Sequence, residues 1–342
     1  MCFFLSIISP IRNEEKYLTE CLASLVNQEY DNEKYEILVV DGMSTDRTRE
    51  IVKEFETRYK NVKLLDNPNE TVPYALNIGI KQARGDVIIR VDGHAVIEKD
   101  YLHQCVKYLK RTNAECVGGI IESINQTFIG RAIALAMSSR FGVGNVRFRT
   151  TGEEGYVDCL AFGAYRREIF DKIGYFDEEF VRCQDDEFNY RLRKFGGKIF
   201  LTPKIKSYYY PRSNLKKLWR QYFQYGLWKI RVLQRHFKTM QPRQFVPSIF
   251  VSSLMVTGIF GIFSKITFSV FLLIIIVYVT VSLSISVKIS INKGFTYFCI
   301  LPVIFFILHA SYGLGFLWGL IKFSKFWIND KPPYLQNSIE AT

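Results

Sequence analysis

The chain has 342 residues and a formal net charge of +12, with 45 Lys and Arg against 33 Asp and Glu. Residues 1–187 hold 24 basic and 31 acidic side chains, a formal −7, whereas residues 188–342 hold 21 and 2, a formal +19. A nucleic-acid-binding protein would carry its basic charge on the folded domain, so this split argues against that class and favours a basic part that faces anionic lipid. The length corresponds to about two domains.

Seven cysteines are scattered along the chain without a CxxC pair or metal-finger spacing. This pattern is typical of reduced, mostly buried thiols and predicts a cytosolic catalytic domain. The first ten residues are apolar but lack a basic n-region and a small-residue cleavage site. We therefore expect a buried first strand there and no signal peptide.

Strands and helices alternate through the first part of the chain. Apolar, β-branched runs predict strands at 3–9, 35–40, 62–65 and 87–91, with amphipathic helices after the first three. This order predicts an α/β fold with a parallel sheet and right-handed crossovers. No GxGxxG or GxxxxGK[ST] follows a strand, so the dinucleotide fingerprint and the P-loop are absent.

Polar residues follow three of these strands. They are Pro10, Asn13 and Glu14 after the first strand, Asp41 and Ser44 after the second, and Asp92 and His94 after the fourth. Ligands of open α/β sheets bind beyond the carboxyl ends of the strands. Gly93 permits a turn that lets Asp92 and His94 reach one divalent ion. The alternatives are that Asp92 caps the next helix and that His94 only contacts the substrate.

Three consecutive carboxylates, Asp185, Asp186 and Glu187, begin a predicted helix. They either complement the helix dipole or supply a general base. The candidate partners for some of these carboxylates are Arg182, which precedes them, and Arg191 and Arg193, which follow on the same helix. We expect at least one of the three carboxylates to be available as a base.

The last third of the chain is basic and then apolar. Residues 204–243 place cations between apolar residues at helical spacing, which indicates a helix in a membrane interface; the alternative is a helix packed on the catalytic domain. Three apolar runs without acidic residues follow, each close to the roughly 20 residues that cross a bilayer, and the first either crosses or re-enters. The predicted organisation is a catalytic domain (1–203), an interface segment (204–243), a membrane region (244–322, with runs at 245–263, 266–287 and 295–321) and a tail (323–342).

With these motifs in this order, the first 235 or so residues resemble the inverting glycosyltransferases of family 2. The resemblance implies the GT-A nucleotide-diphospho-sugar transferase fold, with a Rossmann-like mixed sheet, followed here by an amphipathic interface helix and C-terminal transmembrane helices. The similarity is to the membrane-anchored branch of the succinoglycan glucosyltransferase type. The resemblance implies that Pro10, Asn13, Glu14 and Ser44 border the donor nucleotide, that Asp41 accepts a hydrogen bond from its base, that Asp92 is the first Asp of the DxD metal motif, and that Asp185 is the general base. Candidate contacts to acceptor or donor are Gly163, Asp186, Trp219 and Arg220.

The chain departs from the family pattern at three positions. His94 replaces the last Asp of DxD, Gln184 replaces the Glu before the base, and Leu76 stands where many relatives carry Arg. The implied cofactor is a divalent cation, Mn²⁺ or Mg²⁺. An imidazole ligand favours Mn²⁺ relative to Mg²⁺.

The resemblance implies a multi-pass enzyme of the cell (inner) membrane with its catalytic domain on the cytosolic side. Such an enzyme moves a sugar from a nucleotide-sugar donor, here a UDP-sugar, to a lipid-linked glycan acceptor. Two other functions stay open. One is a processive polysaccharide synthase, and the other is a non-catalytic glycan-assembly subunit that retained the fold.

Overall fold

The structure is a computed structural model that describes residues 3–150, 152–211 and 213–329. The described chain divides into two compact units. The first unit contains residues 3–122 and 152–210, and the second contains residues 123–150 together with the described residues from 211 to 329. Residues 330–342 of the predicted tail lie outside the described residues.

The secondary structure alternates as predicted in the first part of the chain and becomes helical after residue 214. The strands are β1 (Leu5–Ile11), β2 (Tyr35–Asp41), β3 (Val62–Asp66), β4 (Val87–Arg90), β5 (Ala95–Ile97), β6 (Cys116–Ser123), β7 (Gly155–Tyr156), β8 (Ala164–Arg166) and β9 (Ile199–Tyr209). The helices are α1 (Leu18–Val26), α2 (Thr48–Arg58), α3 (Val72–Gln82), α4 (Tyr101–Thr112), α5 (Phe128–Met137), α6 (Arg140–Val143), α7 (Arg147–Thr150), α8 (Glu168–Ile173), α9 (Gln184–Lys194), α10 (Leu215–His236), α11 (Val246–Gly261), α12 (Lys265–Lys293), α13 (Ile300–Lys322) and α14 (Phe326–Asn329).

The described strands form one mixed sheet in the order β3-β2-β1-β4-β8-β6-β9-β5, with β7 paired to β9. The first four strands are parallel, as predicted, and β1, β2 and β4 are buried along their whole length. Beyond β4 the sheet is mixed, which confirms the Rossmann-like mixed sheet that the resemblance implied. There β8 pairs antiparallel with β4 and β6, and β9 pairs antiparallel with β5 and β7.

The register of the parallel strands brings their carboxyl ends to one edge of the sheet. Ile11 at the end of β1 lies opposite Asp41 at the end of β2, and Asp41 lies opposite Asp66 at the end of β3. Arg90 at the end of β4 lies opposite Ile8 of β1. The loops that follow these strands therefore share the edge at which ligands bind in open α/β sheets.

In the second unit, α10 packs closely on α13. A Cβ at Gly226 of α10 would overlap the carbonyl oxygen of Tyr312, and a Cβ at Gly315 of α13 would overlap that of Phe223. Small residues let two helix backbones approach each other in this way. The sequence placed the apolar face of this helix on lipid or on the catalytic domain, whereas the structure places it on α13.

Two described helices, α12 with 29 residues and α13 with 23, are long and apolar enough to cross a membrane. The first predicted run, 245–263, forms α11 with only 16 residues, which is about 24 Å of helix against a hydrocarbon core of about 30 Å. A third crossing therefore stays a prediction. Strand β9 continues to Tyr209, past the boundary that the sequence placed after residue 203.

Candidate active site

Hydrogen bonds join the loops after β1 and β2. The backbone N–H of Asn13 donates to Ser44 Oγ at 2.9 Å, and Asn13 Oδ1 accepts from the backbone N–H of Thr45 at 2.9 Å. The backbone N–H of Glu14 donates to Thr48 Oγ1 at 2.8 Å. Asn13 has a φ of 53°, a left-handed conformation that asparagine tolerates better than most residues. The structure thus brings together the residues that the sequence assigned to the nucleotide.

Asp41 is fully buried at the end of β2, yet its charge is compensated. Its carboxylate accepts hydrogen bonds from the N–H of Ser44 at 3.1 Å, from Ser44 Oγ at 2.5 Å and from Arg49 Nη1 at 2.7 Å. Arg49 also pairs with Asp66 at 2.7 Å. The side-chain hydrogen bonds of Asp41 and Asp66 raise the pKa of Arg49. Pro10 lies within buried β1 opposite Val40.

The guanidinium of Arg90 holds the carboxylate of Asp92. Its Nε donates to Asp92 Oδ1 at 2.8 Å and its Nη2 to Oδ2 at 3.1 Å. Burial disfavours the charge of Arg90, but the negative charges of Asp92 and Asp185 outweigh that cost and raise its pKa above the usual range. One buried cation therefore lies within electrostatic reach of both the predicted metal ligand and the predicted base.

His94 is held on two sides of its ring. Its Nδ1 lies 2.9 Å from Glu14 Oε1, and its ring meets that of Tyr209 edge-on with centroids 5.0 Å apart. Its carbonyl oxygen accepts from the N–H of Tyr210 at 3.1 Å. Burial disfavours the imidazolium, yet the hydrogen bond to Glu14 and the nearby charges raise the pKa of His94 to about 9.

The three carboxylates at the start of α9 have different surroundings. Glu187 is fully buried and forms two hydrogen bonds with Arg191, at 3.0 and 2.8 Å. Asp186 Oδ1 lies 3.1 Å from Cys159 Sγ. Asp185 is partly exposed, and its Oδ1 accepts from the N–H of Asp186 at 3.0 Å. The pairing with Arg191 makes Glu187 unsuitable as a base and leaves Asp185 and Asp186.

The remaining predicted positions have varied surroundings. Gly163 is buried, its carbonyl accepts from the N–H of Arg90 at 3.2 Å, and a Cβ there would lie 2.6 Å from the ring of Tyr165. Leu76 is 1% exposed in α3, and Gln184 is 6% exposed as the first residue of α9. Both Trp219 and Arg220 are exposed on α10 in the second unit.

The residues of the metal motif fit a divalent cation only with help from a ligand. Across the described parts of the chain, no group of three or more His, Cys, Asp or Glu side chains is arranged to hold a metal ion. The protein offers one carboxylate, Asp92, and one imidazole, His94. The contact between Glu14 and Nδ1 of His94 leaves Nε2 as the ligating nitrogen, as in many metal-binding histidines. A donor diphosphate would complete the coordination sphere with its oxygens.

Arg90 is a site residue that the sequence interpretation missed. A signal for it existed, because Arg90 interrupts a buried, β-branched strand and stands two residues before Asp92. In an extended segment, residues two apart point to the same face. An arginine in such a strand requires a buried acidic partner, and Asp92 was the nearest one in the sequence.

Comparisons with known proteins identify the family of this chain. The model of the family described as "Glycosyl transferase family 2" matches residues 6–174. Among curated proteins, the dolichyl N-acetyl-alpha-D-glucosaminyl phosphate 3-beta-D-2,3-diacetamido-2,3-dideoxy-beta-D-glucuronosyltransferase of Methanococcus voltae is 32% identical over 328 residues, which cover 93% of this chain and 98% of that protein. The succinoglycan biosynthesis protein ExoA of Rhizobium meliloti (strain 1021) is 31% identical over 243 residues, covering 70% of this chain and 73% of that protein.

A solved structure shares the fold over most of the chain. It is the mannosyltransferase PcManGT from Pyrobaculum calidifontis, in complex with GDP-Man and Mn²⁺, with a TM-score of 0.58 and 16% sequence identity. The match covers 93% of this chain and 88% of that one. The predicted GT-A fold is confirmed by this likeness and by the family match.

Proposed function

Because the chain belongs to glycosyltransferase family 2, we propose that it moves a sugar with inversion from a UDP-linked donor to a lipid-linked glycan at the cytosolic face of the cell membrane. The relative from Methanococcus voltae is named as a transferase for a dolichyl-phosphate-linked sugar, and the relative from Rhizobium meliloti as a succinoglycan biosynthesis protein. Both names support a lipid-linked or polysaccharide acceptor for this chain.

The observation that carries the proposal is the position of Asp92, whose carboxylate is bound to the guanidinium of Arg90 after β4, at the sheet edge where ligands bind. The negative charge of Asp185 contributes, after that of Asp92, to the raised pKa of Arg90. Inversion by one displacement needs a base that takes the proton of the acceptor hydroxyl as the bond to the donor forms. Asp185 is the proposed base because it is partly exposed and because Glu187 is bound to Arg191.

Several residues of this chain are suited to hold the donor. Asp41 is the proposed acceptor of a hydrogen bond from the nucleotide base, and the loops that carry Asn13 and Ser44 are the proposed border of the nucleotide. Asp92 and His94 would hold the divalent cation, with the donor diphosphate as the further ligand. When bound, such a cation neutralises the charge that develops on the leaving diphosphate.

The membrane location rests on α12 and α13, which are long and apolar enough to span a bilayer. Between Glu187 and Asp330 the sequence has no acidic residue, and basic segments stay on the cytosolic side of membrane proteins. A membrane anchor confines the enzyme to the plane that holds a lipid-linked acceptor. Encounters between the two then become effectively two-dimensional.

The test is turnover of a panel of UDP- and GDP-sugars by the detergent-solubilised full chain, with Mn²⁺ or Mg²⁺ and a membrane-lipid extract as the acceptor source. We expect one donor to be consumed, and the variants Asp92→Ala and Asp185→Asn to lose activity by 100-fold or more, as is typical for the removal of a general base. Asp171→Asn, at an exposed position of α8, is the matched control and should behave as the wild type.

The outcomes separate the alternatives. Loss of turnover in Asp185→Asn with activity kept in Asp186→Asn supports Asp185 as the base, and the reverse pattern moves the base to Asp186. Long polymer from a single donor would indicate a processive synthase. Absence of turnover with every donor, in a protein that is folded, would favour a non-catalytic assembly subunit.

A further inference from the structure

The carboxylate of Glu14 faces the metal motif. Its Oε1 lies 2.9 Å from His94 Nδ1, and the two side chains are 15% and 17% exposed. The sequence assigned Glu14 to the nucleotide on the strength of its loop. In the structure its side chain is directed instead at the candidate metal ligand, across 80 residues of chain.

The chemistry of this contact determines which group donates the hydrogen bond and which accepts it. A carboxylate can only accept a hydrogen bond, so the contact requires the proton of the neutral imidazole to stay on Nδ1. The lone pair of that tautomer is on Nε2. Histidines that bind metals commonly donate their other N–H to a carboxylate, which orients the ring and increases its basicity as a ligand.

The surrounding structure holds Glu14 in place without using its carboxylate. Its backbone N–H donates to Thr48 Oγ1 at 2.8 Å, so the loop is anchored to the start of α2 by the main chain. The carbonyl oxygen of Glu14 also accepts from the backbone N–H groups of Tyr17 and Leu18, each at 3.0 Å. Substitution of the Glu14 side chain should therefore leave the loop folded.

We propose that Glu14 is a positioning residue for the metal ion, which fixes the ring and tautomer of His94 so that Nε2 is presented to the cation. This inference rests on the proposed function, since the cation is held there together with a nucleotide diphosphate. It reassigns Glu14 from the nucleotide to the metal ligand. Arg90 holds the other proposed ligand, Asp92, through two hydrogen bonds.

The test measures Mn²⁺ and UDP binding to the detergent-solubilised full chain by isothermal titration calorimetry, with electron spin-echo spectroscopy of the bound Mn²⁺. Glu14→Leu should weaken Mn²⁺ binding in the presence of UDP by about 10–100-fold, the usual effect of losing such an outer partner. The same variant should also lose the ¹⁴N-imidazole signal. Glu14→Gln keeps an acceptor for Nδ1–H and should retain that signal, with binding within a few-fold of wild type.

Glu15→Leu is the matched control, because Glu15 is the next residue of the loop and accepts from the N–H of Arg47, away from His94. It should bind Mn²⁺ as the wild type does. UDP binding without metal should be unchanged in Glu14→Leu; an equal loss there would show a direct nucleotide contact and overturn the proposal.

Two further results are distinguishable. In the first, wild-type protein binds Mn²⁺ and UDP with an imidazole signal, and Glu14→Leu keeps that signal. This result overturns the positioning role alone. Wild-type protein that binds neither Mn²⁺ nor UDP overturns the proposed function and this inference together.

Discussion

The buried ion pair between Glu187 and Arg191 makes the sharpest prediction about stability. The two side chains are 1% and 2% exposed, and Arg191 also donates to the carbonyl oxygens of Ile173 at 2.5 Å and Tyr175 at 2.8 Å. Arg191 thereby ties α9, which begins at Gln184 beside the proposed base, to the turn after α8. We consider the substitutions Glu187→Met, Arg191→Met and their combination.

The expected loss of stability in each variant depends on which charged side chain stays buried without its ion-pair partner. Removal of one partner from a buried pair costs about 3–5 kcal/mol, because the other charge stays buried without compensation. Arg191→Met should be the worse of the two, since it also leaves two carbonyl groups without this donor, at about 1–3 kcal/mol each. The double variant has no isolated charge and should be more stable than Arg191→Met. For a unit of this size, each kcal/mol lowers the melting temperature by about 2–4 °C.

Thermal unfolding can be followed with a thiol-reactive dye on the detergent-solubilised chain. Five of the described cysteines are buried in the first unit, while Cys299 is exposed in the second. Cys2 lies outside the described residues, so a Cys2→Ser/Cys299→Ser background makes the dye report on the five buried thiols of the first unit. Glu168→Gln is the control: its i,i+4 partner Lys172 is 3.6 Å away, both side chains are about 60% exposed, and the expected change is below about 1 kcal/mol. Losses in the double variant that equal the sum of the two single losses would refute the coupling.

Three other predictions follow from single contacts. Gly226→Ala should destabilise the packing of α10 on α13 by about 1–3 kcal/mol. The control Gly258→Ala should be close to neutral, because its added Cβ would make only ordinary contacts at 3.4 Å or more. Equal melting temperatures of the two variants would contradict the close packing. Arg49→Met removes the cation beside buried Asp41. It should lower the free energy of unfolding by about 1.5–3 kcal/mol and weaken UDP binding. Calorimetry measures both, and wild-type values would contradict the role of Arg49. Burial raises the pKa of the Cys21 thiol to about 12. Alkylation of Cys21, measured by mass spectrometry, should therefore stay slow from pH 7 to pH 9 in the folded protein. An alkylation rate that rises tenfold per pH unit to that of a free thiol would disprove the burial of Cys21.

The sequence by itself was sufficient for the parallel half of the sheet in the first unit and for the strand ends that carry the candidate site residues. Hydrophobic periodicity and the residue types at strand ends are local properties of the sequence. The local sequence was therefore enough to recognise β1, β2 and β4 and the polar residues after them. The parallel order then required Asn13, Asp41 and Asp92 to share one edge of the sheet. The apolar runs of α12 and α13 were equally local signals.

The tertiary structure decided how the charged side chains are paired. The contact of Glu14 with His94 joins residues 80 positions apart, and only the folded chain selects Glu187, rather than Asp185, as the partner of Arg191. Composition cannot distinguish such pairings, because their energies depend on distance and burial, which the folded backbone sets. The position of α10 is a similar case, because its amphipathic pattern is compatible with packing on lipid or on protein. In the structure α10 packs on α13, whose glycines allow the two helix backbones to approach closely.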